Sequence, residues 1–218
     1  MPQATARSRK ARPYHKGNVA NDLMKAATAM LRDGQVEDIT VRRLARDVGV
    51  TPANFYNHFS SLHELLLTLA AQGFEQRNAQ AERIVARSKD RRTAILDLAV
   101  MYAEFGLDNK ELFRIMYGQI PNALSNDRFR VATDESMIIA SKLIYGTNRH
   151  DPENPVRSHQ QNIVGYAVVA LVSGLCRNIV EELYEFRSGK RSEMRAFVRD
   201  AVSTFLDGTA AKVLEATK

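Results

Sequence analysis

A single cysteine, Cys176, stands in a chain of 218 residues. That excludes an intramolecular disulfide and any disulfide-stapled scaffold, removes a cysteine-based zinc site, and points to a reducing compartment. Strict alternation of apolar and polar residues is nowhere sustained, so no sheet is expected, and no internal repeat is visible. The longest charge-free apolar run, about Ile163 to Cys176, has fourteen residues. A bilayer needs about 20, so this run is read as a buried core helix. The N-terminal basic residues are followed by Pro13-Tyr14-His15 rather than the apolar stretch of a signal peptide, and the chain is read as cytoplasmic. Gly-x-Ser-x-Gly, a phosphate-binding glycine loop and His-Glu-x-x-His are all missing, so no enzyme, cofactor or metal site is expected. His58 and His63 are spaced poorly for a shared metal, and His150 with Asp151 and His159 is read as a solvated loop. Glu181-Glu182 reads as a solvated helix face and Cys176 as an inert core thiol.

Charge is present, but unevenly. Hydrophobic residues make up 44% and charged residues 26%, the balance of a globular chain rather than a disordered one. The net charge is +6. Arg7, Arg9, Lys10, Arg12 and Lys16 supply five of those charges, and residues 1–16 contain no acid. The excess is therefore a flexible basic arm on a nearly neutral body. Such an arm suits a polyanion, either nucleic acid or an anionic membrane.

The pattern is helical throughout. Asn18 is a good N-cap for a helix whose Val19, Leu23, Ala26, Ala27, Met30 and Leu31 share a face. Thr40 caps a second helix over 41–48, closed by Gly49, and Thr51-Pro52 opens a short third one running to about His58. A fourth begins at Ser60 or Ser61, with Ser61 and Glu64 at capping-box spacing, and runs to about Ala86. Ile95, Leu98, Ala99, Tyr102 and Phe105 form a further stripe, and Asp108 with Glu111 looks like another capping box. A helix from about Asn126 to Tyr145 follows, then a loop from Gly146 to Pro155, then one helix from about Ser158 to Phe186. The last, from about Ser192, carries Met194, Phe197, Val198, Ala201, Val202, Phe205 and Leu206 as an unbroken stripe.

Thr40 to His58 is the informative unit. Two short helices about a turn at Gly49-Val50-Thr51 make a helix-turn-helix pattern. Ala45 permits close crossing, Gly49 permits the turn, and Val50 and Phe55 plug the core beneath it. In such a motif the second helix enters the major groove. That places Thr51, Pro52, Ala53 and Asn54 toward base edges, with Asn54 suited to adenine and Pro52 and Ala53 to a thymine methyl. Tyr56, Asn57 and His58 are placed for phosphates or flanking bases. Thr40, Arg42 and Arg43 are placed to grip phosphate. An ordinary helical hairpin is the alternative, and the solvent-facing aromatics and amides of the short helix argue against it.

Residues from Tyr14 to Phe74 resemble the TetR family of bacterial transcriptional regulators. The resemblance is carried by Tyr14-His15-Lys16-Gly17-Asn18, by Ile39-Thr40-Val41-Arg42-Arg43-Leu44-Ala45, by Val48-Gly49-Val50-Thr51-Pro52-Ala53, and by Phe55-Tyr56-Asn57-His58-Phe59-Ser60-Ser61. Leu62 departs from it: family members commonly have a phosphate-holding Lys there. The resemblance implies an all-α homodimer with an N-terminal three-helix DNA-binding domain over 17–60. A ligand-sensing and dimerisation bundle would follow over 61–218, its last two helices packing on their symmetry mates. The function implied is a transcriptional regulator, a repressor released from a palindromic operator by a small apolar effector. No membrane partner is expected, since no amphipathic Trp/Phe-rich anchor accompanies the basic arm.

The residues agree in part. The last two helices carry more apolar surface than one protomer easily covers, which favours an isologous dimer. Met101, Tyr102, Phe105, Phe113, Met116, Tyr117, Met137, Tyr145 and Tyr166 gather the side chains that line adaptable apolar pockets, although each of them also suits a core. Two other classes stay open from sequence: a helical ligand-binding protein or small enzyme not acting on DNA, and a ligand-independent architectural DNA-binding protein.

Overall fold

The computed structural model describes residues 18–118, 120–186 and 191–216, with side chains described through Gly208. The basic arm, with Arg7, Arg9, Lys10, Arg12 and Lys16, lies outside the described residues. Those described are helical or irregular, with no strand among them. The chain divides into two compact units at Leu65/Leu66.

The first unit is built on α1 (Val19–Asp33), α2 (Val41–Val48), α3 (Pro52–Phe55) and the opening turn of α4 (Leu62–Arg87). Helical spacing puts Val19, Leu23, Ala27, Met30 and Leu31 of α1 in its core, as the sequence predicts. Asn18 stands at the N-cap position, but its side chain accepts no hydrogen bond from the helix. Leu44, Ala45 and Phe55 are fully buried and close this small core. Ser61 caps α4, its Oγ accepting from Glu64 N–H at 3.1 Å. The second half of the expected capping box is shifted by one residue: the Glu64 carboxylate accepts from the backbone N–H and hydroxyl of Ser60 at 2.6 and 2.7 Å. Those bonds hold its pKa below the ordinary value.

The second unit contains the rest of α4, then α5 (Arg91–Asp108), α6 (Lys110–Tyr117), α7 (Asp127–Tyr145), α8 (Pro155–Gln161), α9 (Ile163–Val180) and α10 (Arg191–Ala216). α9 is central and packs on α5, α7 and α10. Four exposed pairs run along the α5–α10 seam: Arg92–Asp207, Asp97–Arg199, Glu104–Arg195 and Asp108–Arg191. Exposed pairs of this kind stabilise by only about 0–1 kcal/mol each, so they set register more than stability.

Three sequence expectations fail here. The single helix from Ser158 to Phe186 is two, broken at Asn162 and ending at Val180. Asn162 has φ −121° and ψ 28°, and its fully buried side chain lies over Gly165, where a Cβ would collide with it. Past Val180 the chain turns through Glu182 at φ 58°. Glu181 and Glu182 are thus not on a helix face; they bind Arg114 and Lys110 of α6. Asp108 does not cap α6: it ends α5, and Asn109 serves as both the end of α5 and the start of α6. The helix that holds the charge-free apolar run, α9, has 18 residues and is long and apolar enough to cross a membrane by length and composition; one side of it packs on α5, α7 and α10.

Candidate nucleic-acid interface and interior cavity

The turn between α2 and α3 is fixed by local bonds. Thr40 Oγ1 accepts from Arg43 N–H at 3.2 Å, and Thr51 Oγ1 from Asn54 N–H at 3.2 Å, so each short helix starts from its own cap. Gly49 closes α2 at φ 80°, and Val50 N–H reaches back to Ala45 O at 2.8 Å. Nothing lies within 4 Å of a Cβ built on Gly49, so the demand for glycine there is conformational and not steric. Phe55 anchors α3 from beneath, 5.7 Å from Phe59 and edge-on to Tyr56 at 5.3 Å.

α3 is shorter than the sequence suggests. It ends at Phe55, and residues 56–58 continue as a tight turn in which Asn57 and His58 donate to Asn54 O and Phe55 O. The consequence is a compact knuckle. Thr51, Pro52, Ala53, Tyr56, Asn57 and His58 are all exposed, Tyr56 at 57%. Thr40 and Arg42 are exposed beside it, and Arg43 is half committed to Asp38 at 3.8 Å. Asn54 differs from the rest: its Oδ1 is buried and has no hydrogen-bond partner among the described residues. That oxygen is turned away from any partner at the surface. Leu62, at the first position of α4, is half-buried and contributes no charge.

The second unit holds a partly open cavity of about 50 Å³. Of the nine side chains named from sequence as ligand-binding, Tyr102 and Tyr117 line it. Met101 lines a separate open groove with Arg83, Arg87 and Lys89. Phe105, Phe113, Met116 and Tyr145 are buried, Met116 against Gly73, where a Cβ would stand 2.5 Å from its sulfur. The Tyr145 hydroxyl accepts from Val164 N–H at 3.0 Å, and Met137 is half-buried without lining the cavity. Tyr166 belongs to a different cluster: its hydroxyl lies 3.2 Å from His150 Nδ1, and His150 Nε2 lies 3.0 Å from Asp134 Oδ1. His150 is therefore buried and partnered by Asp134, not part of a solvated loop with Asp151. No metal-holding cluster occurs among the described residues. Cys176 is buried, and burial pushes its thiol up to about 12.

The residue that sequence reading missed is Arg77. It lies on α4, is 3% exposed and lines the cavity. Its Nη1 donates to the Tyr117 hydroxyl and its Nη2 to Ser136 Oγ at 2.6 Å, while the buried Nε has no partner among the described residues. Its guanidinium carbon stands 4.4 Å from the Tyr102 ring centroid and 4.7 Å from that of Phe74. Burial depresses its pKa. In sequence it is one more Arg on a long polar helix, and its partners lie 40 and 59 residues away, so no local pattern could have singled it out.

Residues 23–69 match the family described as bacterial regulatory proteins, tetR family. The chain is 20% identical over 187 residues to an uncharacterized HTH-type transcriptional regulator, YobS, of Bacillus subtilis (strain 168), covering 85% of this chain and 90% of that one. Its fold is similar to a protein with unknown function from Rhodococcus sp. RHA1, with a TM-score of 0.68, 25% identity, and 91% and 98% of the two chains covered. It is also similar to a TetR-family transcriptional regulator from Bordetella parapertussis 12822, with a TM-score of 0.55, 14% identity, and 88% and 95% covered.

Proposed function

We propose that this chain, which belongs to the tetR family of bacterial regulatory proteins and is a DNA-binding transcriptional regulator, acts as a cytoplasmic homodimeric repressor released from a palindromic operator by a small effector. The observation that carries the reading is the exposed knuckle over Phe55. Its outward side chains are Thr51, Pro52, Ala53, Tyr56, Asn57 and His58, with none of the Lys and Glu that a solvated structural helix would show. In the major groove such groups read base edges and thymine methyls. Asn54 joins them only if its amide turns, since its oxygen faces inward. The backbone N–H groups at the start of α2, with Arg42 and Arg43, hold phosphate. Arg7, Arg9, Lys10, Arg12 and Lys16 supply a salt-dependent grip, taking the place of the Lys that Leu62 replaces.

The dimer is supported by an outward apolar stripe on the last two helices. On α9, Ile163 is 64% exposed, and Ala170 and Gly174 lie exposed along the same side; on α10 Phe197 is 37% exposed. Open space surrounds Gly174 and Gly208, room for a close helix approach. Two such faces related by a twofold axis would cover one another and present two knuckles to two half-sites. The effector reading rests on the interior cavity and is linked to DNA through α4. That helix starts beside the knuckle at Leu62 and carries Arg77 in the cavity wall. A ligand favouring one placement of α4 would shift the population of DNA-binding dimers.

The test is selection of bound DNA from a random pool. A palindrome with half-sites about one helical turn apart is the expected result. Recovery of unrelated sequences would reduce the protein to an architectural binder, and recovery of none would favour a helical ligand-binding protein. Deleting residues 1–16 should weaken binding to all sequences. It should also flatten the salt dependence, by up to about 0.9 in log–log slope for each phosphate the arm neutralises, read from anisotropy titrations across salt. An unchanged slope would show that the arm holds no phosphate.

A further inference from the structure

Arg77 is a buried charge without a counter-charge. It has no carboxylate within ion-pair distance among the described residues, and the groups around it are neutral. Tyr117 and Ser136 accept its hydrogen bonds. The Ser136 hydroxyl in turn donates to Asn78 Oδ1 at 2.8 Å, and Asn78 Nδ2 donates to Ala132 O at 2.8 Å. That chain of bonds fixes Ser136 as an acceptor toward Arg77. The rings of Phe74, Tyr102 and Tyr117 cradle the guanidinium, but ring faces offset a cation only partly. Guanidinium does not shed its proton in proteins. A buried cation so placed is costly until an anion joins it.

We propose that the effector is a small amphipathic monocarboxylate whose acid group pairs with Arg77 while its short apolar tail fills the cavity. This rests on the effector reading above and names its chemistry. The guanidinium lacks one hydrogen bond, at the buried Nε, and a carboxylate is the acceptor that supplies both that bond and the missing charge. One cation in an otherwise neutral site suits one negative charge rather than a phosphate dianion. The remaining walls are apolar apart from Ser173, with Leu98, Ile139, Leu143, Val168 and Val172 among them. A cavity of about 50 Å³ has room for a few non-hydrogen atoms, since one water needs roughly 10–15 Å³ by the same measure. That is the size of acetate to butyrate. Longer acids would have to displace the half-buried Ile139 and Ala140.

The test uses the full chain, with sodium acetate, butyrate and hexanoate set against 1-butanol and butylamine. Thermal shift and calorimetric titration read binding; anisotropy of labelled operator reads release. Butyrate should raise the melting temperature, with butanol and butylamine inert at the same concentration. Arg77→Met should keep the fold and melt no lower than the parent without ligand, because it replaces an unpaired buried charge with apolar volume. It should bind butyrate at least about tenfold more weakly, and Arg77→Lys should retain part of the affinity. Equal binding of butanol and butyrate by the parent protein overturns the proposal even if Arg77→Met fails to fold. So does undiminished butyrate binding by a folded Arg77→Met. Butyrate binding that needs Arg77 but leaves the operator occupied would uphold the anion site and defeat the effector reading. Release by butyrate that survives Arg77→Met would do the opposite.

Discussion

The two units of this protein handle polar groups in opposite ways. The first keeps its candidate chemistry outside, on a knuckle whose caps are all made between neighbours in sequence: Thr40 to Arg43, Thr51 to Asn54, Ser60 and Ser61 to Glu64. The second hides its candidate chemistry, and its supports span 40 residues from Arg77 to Tyr117 and 59 to Ser136. A surface reader must be rigid before its target arrives, and local caps achieve that in few residues. An interior sensor must change its energy when a ligand arrives, and a buried unpaired charge stores that difference.

The largest expected effect probes the first unit's small core. Phe55→Ala removes the fully buried ring beneath α3 and should cost about 3–5 kcal/mol in denaturant melts. Thiol labelling of Cys176, deep in the second unit, reports the other half. If the two units are separately stabilised, labelling stays slow while the first unit melts early; acceleration in step would merge them. Gly49→Ala tests whether the turn is local. Its φ of 80° costs a side-chain-bearing residue roughly 1–2 kcal/mol, and the open space around it leaves no steric term to add. A loss much above that, in the same melts, would mean the turn is braced by something beyond its backbone. The smallest effect concerns pH. Ser60 holds the folded Glu64 carboxylate below its ordinary 4.5, so its contribution is fully present above that value and is lost as pH falls through the lower folded one. The stability gap between parent and Glu64→Gln should therefore exist at neutral pH and close as the pH falls below the lowered folded value.

The same contrast explains what the sequence disclosed. Caps, the Gly49 turn and the α3 anchor rest on spacings of three or four residues, and those spacings are visible in a string of letters. The α8–α9 break is not, because Asn162 looks like any polar residue until its side chain is seen lying over Gly165. The aromatic and methionine residues of the middle of the chain are alike in type, and type does not distinguish Tyr102, in the cavity wall, from Phe105, in the core. Asn54 is legible as exposed polar chemistry at the right position, yet the direction of its amide depends on packing that no pattern encodes. Arg77 requires partners from α6 and α7 to become unusual.

The claim that the knuckle reads sequence is tested most directly at Tyr56, which is 57% exposed and meets the core only through its edge-on contact with the Phe55 ring. Affinity should be measured by anisotropy for the selected operator and for a scrambled duplex, at one fixed salt, for the parent and for Tyr56→Ala. A sequence-reading Tyr56 predicts a loss of about 1–3 kcal/mol on the operator, little change on the scrambled duplex and an unchanged melting temperature. Equal losses on both duplexes, or none on either, would contradict it.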